Sequence, residues 1–236
     1  VSRIVVLTGG GIKGAVAAAR CAADNDLILV HVAYGQQSAS AELRAVEAFR
    51  ATLPFSSVMA LTMGHVTELQ QEFPGLSGLH ADRTGVYGVT DALSEATLRG
   101  FTPVLLSVGV QCALRAGAKT VVTGLSSLCD ESHLGIVGDG GTTDRRHEFL
   151  HSFNLMMENL PTPGSNVRVE APLIDVSLSQ AVKLARRFGV PLEKTWTCQR
   201  SGPRPCRRCE SCQARARAFI EASMIDPLSA EQPAPA

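Results

Sequence analysis

"IVVLTGGGIKGAVAAA", Ile4 to Ala19, joins an apolar run to the glycines Gly9, Gly10 and Gly11 and then to an alanine-rich segment. Ile4 to Leu7 reads as a buried strand and Ala15 to Asp24 as a helix, which makes Leu7 to Gly14 the turn between them. Such turns suit phosphate, because a helix N-terminus presents free N–H groups and a positive dipole end, and glycines admit close approach. Gly9, Gly11 and Gly14 have the G-x-G-x-x-G spacing of a dinucleotide loop. That fingerprint also calls for an acid at the end of the second strand, and "LILVHVAYGQ", Leu27 to Gln36, has none. A Walker loop is excluded, since Lys13 is preceded by Ile12 and followed by Gly14. The plainer alternative is a tight turn that packs helix against strand.

Outward from this turn the same alternation repeats. Helical patterns at Ser40–Leu53, Val104–Ala116, Arg145–Leu160 and Ser179–Gly189 alternate with apolar runs at "SSVMALTM", "KTVVTGL" and "VRVEAPL". This rhythm predicts an α/β fold, a Rossmann-like parallel sheet with helices on both faces, followed by a small C-terminal cysteine segment. The expected units are a main domain over 1–190, a zinc-binding segment and helix over 191–224, and a disordered tail over 225–236. Ser127 to Thr143 reads as a long polar loop.

A chain of 236 residues can bury one large core. Lysine plus arginine equals aspartate plus glutamate at 22 each, so no global field drives it onto nucleic acid or membrane. No apolar run approaches the roughly 18 residues of a membrane span, and no charged segment leads into a signal core. The expectation is a cytoplasmic protein with no membrane contact.

Of seven cysteines, Cys198, Cys206, Cys209 and Cys212 crowd together as C-x7-C-x2-C-x2-C. Two-residue spacers let thiolates converge on one tetrahedral ion, so the pattern points to structural Zn²⁺; an iron–sulfur cluster or a redox pair are the alternatives. Cys21, Cys112 and Cys129 read as small apolar groups, with Cys129 left open. Arg200, Arg204, Arg207, Arg208, Arg215 and Arg217 surround the cluster, either as a solvated rim or as a phosphate or RNA contact. The six histidines show no metal-like grouping near these cysteines.

"AYGQ" at Ala33–Gln36, "DRRHEF" at Asp144–Phe149, "APLIDVSLSQAVKLARRFGV" at Ala171–Val190, and "TWTC" at Thr195–Cys198 with the cysteine spacing resemble the 7-cyano-7-deazaguanine synthase family, of the N-type ATP pyrophosphatase superfamily. The resemblance runs in order from residue 4 to about 220 and implies an adenine nucleotide alpha hydrolase-like fold. It implies a ligase forming carbon–nitrogen bonds, which adenylates 7-carboxy-7-deazaguanine with ATP and Mg²⁺ and couples it to ammonia. On that reading Thr8, Gly9, Gly10 and Gly11 cradle pyrophosphate beside Lys13. Tyr34 and Gln36 line the nucleotide site, Asp144 and Arg146 contact the substrate, and the chain is a homodimer.

The resemblance breaks at particular residues. The superfamily's Ser-Gly-Gly-x-Asp-Ser loop is here Thr8 to Lys13, with Ile12 in place of the acid and Lys13 in place of the last hydroxyl. Leu105 and Leu106 replace an Arg-Asn pair after Pro103, and Glu42 stands one position from the family's acid. Two other readings therefore stay open: a family member that has lost turnover and serves as a binding or assembly module, and a tRNA-modifying ATP pyrophosphatase. A related acid, or an amine on an RNA or protein acceptor, also stays open.

Overall fold

A computed structural model describes residues 2–64, 101–127, 146–159 and 166–229. In chain order these form β1 (Ser2–Leu7), α1 (Ile12–Cys21), β2 (Asn25–Ala33), α2 (Ala39–Arg50), β3 (Ser56–Thr62), α3 (Phe101–Ala116), β4 (Thr120–Thr123), α4 (His147–Glu158), β5 (Arg168–Glu170), α5 (Leu178–Arg187), a 3₁₀ turn (Leu192–Lys194) and α6 (Glu210–Glu221). Asp144, Cys129 and most of the expected Ser127–Thr143 loop lie outside the described residues.

The sheet has five strands in the order β3-β2-β1-β4-β5. Every pair is parallel, with Val5 of β1 facing Ile28 on one side and Val121 on the other. Because successive side chains point to opposite faces, each inner strand feeds two cores. Val6, Leu27, Leu29 and Val122 pack with residues of α1, α2, α5 and α6. Val5, Leu7, Val30, Val121 and Val169 pack with α3 and α4. The predicted parallel α/β sheet with helices on both faces is therefore present. The chain leaves β1 toward β2 on one side and later returns to pair β4 on the other, which opens a crevice at the carboxyl ends of the strands.

Element boundaries shift for local reasons. α1 begins at Ile12 rather than Ala15, since Gly11 takes an extended N-cap conformation and Ile12 is drawn into the core at 2% exposure. β2 starts at Asn25, where the sequence pattern favours helix to Asp24, because pairing with β1 already begins at Ser2↔Asn25. α5 starts at Leu178, one residue before the expected Ser179. Ser177 caps it, accepting from the Gln180 N–H while the Gln180 side chain accepts from the Ser177 N–H.

The C-terminal part shares the main core: Ala218 and Phe219 of α6, with Ala222 just after it, pack in the same cluster as α1 and α5. Arg215, expected either on a solvated rim or as a phosphate or RNA contact, is 3% exposed. Its guanidinium donates to both carboxylate oxygens of Asp226 at 2.8 and 2.9 Å, to Thr195 Oγ1 at 2.8 Å and to the Leu192 carbonyl at 3.0 Å. It also lies 5.2 Å over the Phe219 ring. Asp226 belongs to the stretch whose composition suggested a disordered tail; within it, residues 225–229 are ordered around this ion pair. Leaving one buried charge without its partner costs about 3–5 kcal/mol. We expect Arg215→Ala to lower the thermal midpoint by roughly 10 °C. Arg215→Lys will restore little, because an ammonium cannot reproduce the fork. Thermal unfolding of the two variants checks this.

Candidate active site and metal centre

The crevice between β1 and β4 contains a cavity of about 250 Å³. It is bounded by the loop after β1 (Thr8, Gly9), the end of β2 with Tyr34 and Gln36, Glu42 of α2, Leu105 and Leu106 of α3, and Thr123 at the end of β4. Open α/β sheets bind ligands at this position.

The glycines around it divide into two kinds. Gly10 has φ +75°, and a Cβ there would come within 2.6 Å of the Glu42 carbonyl. A Cβ at Gly14 would overlap the Thr8 side chain, so Gly14 serves the packing of helix on strand. By contrast, a Cβ at Gly9 or Gly11 would meet its nearest atoms at an ordinary 3.7 Å. Gly11 caps α1 without any side-chain hydrogen bond, leaving the helix N-terminus uncapped by side chains. Thr8 Oγ1 accepts from the Gly10 N–H at 3.2 Å, so that donor is already used within the loop.

Gln36 organises the end of β2. Its amide oxygen accepts from the Tyr34 N–H at 2.8 Å, and its nitrogen donates to the Val32 carbonyl at 3.1 Å and to Glu42 Oε2 at 3.0 Å. Ser38 donates to the other carboxylate oxygen of Glu42. The Tyr34 ring packs on Phe101 with centroids 4.4 Å apart. Gln36, a ligand contact on the resemblance, lines the cavity, and its amide holds a carboxylate at the cavity edge.

Of the substitutions read in the sequence, Ile12 is a core residue, and Leu105 and Leu106 face the cavity. Lys13 sits half-buried in the first turn of α1 and has a partner of its own. Arg146 is exposed just before α4 and is not among the cavity-lining residues. Next to it, His147 Nε2 pairs with Asp175 at 2.8 Å. The structure thus gathers Thr8, Gly9, Tyr34 and Gln36 at one cavity and leaves Arg146 outside its lining.

His31 was not singled out by the sequence reading. It shares the face of Leu27 and Leu29 on β2, is 2% exposed and lines the cavity. Among the described residues neither ring nitrogen has a hydrogen-bond partner, and Nδ1 is 4.0 Å from Glu42 Oε2. A buried polar group left unpaired costs about 1–3 kcal/mol. The available signal was a single imidazole in an otherwise apolar strand.

The second constellation is the cysteine cluster, where the sulfurs of Cys198, Cys206, Cys209 and Cys212 all lie within 4.8 Å of one another. Metal–sulfur bonds of about 2.3 Å in a tetrahedron demand sulfur separations near 3.8 Å; Cys198 and Cys209 are already 4.0 Å apart. Cys209 is the N-cap of α6 and Cys212 lies in its first turn, while the other two come from the preceding loop. The N–H groups of Cys206 and Arg200 donate to Cys198 Sγ at 3.3 and 3.4 Å, and that of Cys209 donates to Cys206 Sγ at 3.3 Å. The hydrogen bond from Cys212 brings the Cys209 thiol down to about 4 and pushes the Cys212 thiol up. Burial raises that of Cys198. Such a set of soft, converging donors could hold a metal ion.

Cluster and cavity are mechanically joined. The Trp196 N–H donates to the Gly10 carbonyl at 2.9 Å, Ser201 shares a hydrogen bond with Ser40 of α2 at 2.9 Å, and Arg44 of α2 reaches the Gly202 carbonyl at 3.4 Å. The cysteine loop thereby braces both the glycine loop and the helix that carries Glu42.

A 7-cyano-7-deazaguanine synthase of Methanothrix thermoacetophila is 31% identical over 233 residues, 95% of this chain and 97% of the relative. One from Acidobacterium capsulatum is 29% identical over 235 residues, 96% of this chain and 95% of the relative. Among solved structures, the U34-tRNA thiolase NcsA from Methanococcus maripaludis with its 4Fe-4S cluster shares 12% identity at a TM-score of 0.43, over 94% of this chain and 64% of its own, a likeness on which nothing further rests. The family model described as queuosine biosynthesis protein QueC matches residues 3–223, and the chain belongs to that family.

Proposed function

We propose that the chain is an ATP-dependent ligase that adenylates a 7-carboxy-7-deazaguanine-type acid and couples it to ammonia. The observation that carries this reading is the cavity at the switch of strand order, bordered by Gly9, whose missing side chain no protein atom requires. Membership of a family whose relatives are named 7-cyano-7-deazaguanine synthase supports it. In this chemistry a carboxylate oxygen attacks the α-phosphorus of ATP and pyrophosphate departs. Ammonia then attacks the acyl carbon and AMP leaves, forming the amide. A second adenylation, on the amide oxygen, permits loss of AMP and protons to give the nitrile.

The work of the protein is to hold two anions together and to stabilise charge on the departing pyrophosphate. The backbone of Gly9 and Gly11, with the uncapped start of α1, serves that purpose; Thr8 and Gly10 shape the loop, and Lys13 contributes positive charge. Tyr34 and Gln36 border the nucleotide side. Arg146, together with Asp144 outside the described residues, meets the acid. Mg²⁺ enters with ATP; Ile12 offers it no oxygen, and the carboxylate beside the glycine loop is that of Glu42. The cysteine cluster holds structural Zn²⁺, which cross-links the loop that braces Gly10.

The burial of Ile12 and the leucine wall favour a second reading, a binding module without turnover. Incubation with ATP, Mg²⁺, ammonium and 7-carboxy-7-deazaguanine separates the two when AMP and the deazaguanine mass are followed together. Acid-dependent AMP with an amide or nitrile is the expected result. No AMP, together with no ATP binding by calorimetry, overturns the ligase reading. Gly9→Val will cut AMP formation at least tenfold with little change in thermal midpoint, whereas Gly10→Ala will lower the midpoint itself. Elemental analysis will find one zinc per chain. Its removal by chelator will lower the midpoint and weaken nucleotide binding, and the metal will be lost as pH falls because its thiolates take up protons.

A further inference from the structure

The cavity has one charged lining side chain among the described residues, Glu42, and one buried imidazole without a partner, His31. Both stand at the same end, with Nδ1 and Oε2 4.0 Å apart, too far for a hydrogen bond between them. The carboxylate is held in place by Gln36 and Ser38, so it cannot readily swing to satisfy the histidine. A ring nitrogen of histidine can meet a ligand atom by hydrogen bond, and a carboxylate offers only acceptors. This end therefore suits a group that presents N–H donors beside a ring nitrogen. The opposite wall, formed in part by Leu105 and Leu106 of α3, is apolar and suits the face of a flat ring.

We propose that His31 and Glu42 together bind the amino-bearing edge of a planar nitrogen heterocycle. The ligand's N–H groups donate to Glu42 Oε2, and His31 supplies the complementary donor or acceptor to the neighbouring ring position. His31 is thus a specificity-determining residue, left unsatisfied until the ligand arrives. The inference rests on the ligase reading for its choice of ligand class, since both the adenine of ATP and the acid's aminopyrimidine ring carry such an edge.

The test is titration calorimetry on the full metal-loaded chain with two probes, a non-hydrolysable ATP analogue and 7-carboxy-7-deazaguanine, using wild type, His31→Leu and Glu42→Gln. One probe will lose at least tenfold in affinity in both variants, and which one does so identifies the ring that occupies this end. The inosine counterpart of the ATP analogue, which lacks the exocyclic amine, separates the arms further: it binds wild type at least tenfold more weakly than the ATP analogue if adenine is the occupant. His31→Leu will also raise the thermal midpoint of the ligand-free protein, because an unpaired buried imidazole has gone, an effect opposite to that of deleting a structural histidine. Equal affinity of each probe for wild type and His31→Leu overturns the proposal, as does failure of both probes to bind wild type. Acid-dependent AMP from wild type alongside unchanged probe binding by His31→Leu sinks this assignment alone. Probe binding that His31→Leu abolishes, without any AMP from wild type, sinks the ligase reading and leaves this one standing.

Discussion

β1 is hydrogen-bonded on both edges, by β2 and by β4, and covered on both faces by helices, with Val5 and Val6 wholly buried. The buried stretch of β1, Val5 to Leu7, is apolar, and polar groups of the loop follow directly where the strand ends. The chain turns there through Thr8 to Gly11 into α1 while β4 ends alongside, and the two neighbouring connections diverge. The crevice is a consequence of this divergence, and the cavity fills it. Glycines at the turn have separate reasons for being there: Gly10 and Gly14 are required by the fold, while Gly9 and Gly11 leave room that the fold itself does not use.

Each wall of the cavity depends on a contact made elsewhere. α2 brings Glu42 to the mouth, and the amide of Gln36 orients its carboxylate. α2 and the glycine loop are in turn tied to the cysteine loop through Ser40, Arg44 and the Trp196 N–H. Behind that loop, Arg215 joins α6 to the 3₁₀ turn, Thr195 and Asp226. A structural metal at the four cysteines would therefore stiffen the active-site loop from a distance, without touching a reactant. This explains why an arginine in a basic surround is buried: its role is to anchor the chain beside the cluster, and the exposed Arg204, Arg207 and Arg208 are left as the rim.

The apolar substitutions acquire a physical meaning in the same frame. Ile12 has no group that could ligand a cation and is packed in the core shared by α1, α5 and α6. Leu105 and Leu106 line the cavity, the second of them almost fully buried, and make its wall apolar. Polarity is concentrated instead at His31 and Glu42, on β2 and α2. Among the described residues the site has a polar end and a greasy wall, a distribution suited to a flat ring with one hydrogen-bonding edge.

The sequence by itself determined the alternation of strand and helix, the parallel sheet and the cysteine cluster. These are written in short-range patterns: period-2 and period-3.6 burial, and a four-cysteine spacing that only a common centre explains. The resemblance also implied Thr8, Gly9, Tyr34 and Gln36, which lie just beyond the ends of β1 and β2. Local pattern could not show that Ile12 turns inward, that Arg215 is buried against Asp226, or that His31 of β2 meets Glu42 of α2. Those facts depend on which face of a strand meets which helix and on contacts between residues far apart in the chain. Strand order and helix packing alone decide them, since an isolated imidazole or guanidinium reads the same in sequence whether it is solvated, paired or left waiting for a ligand.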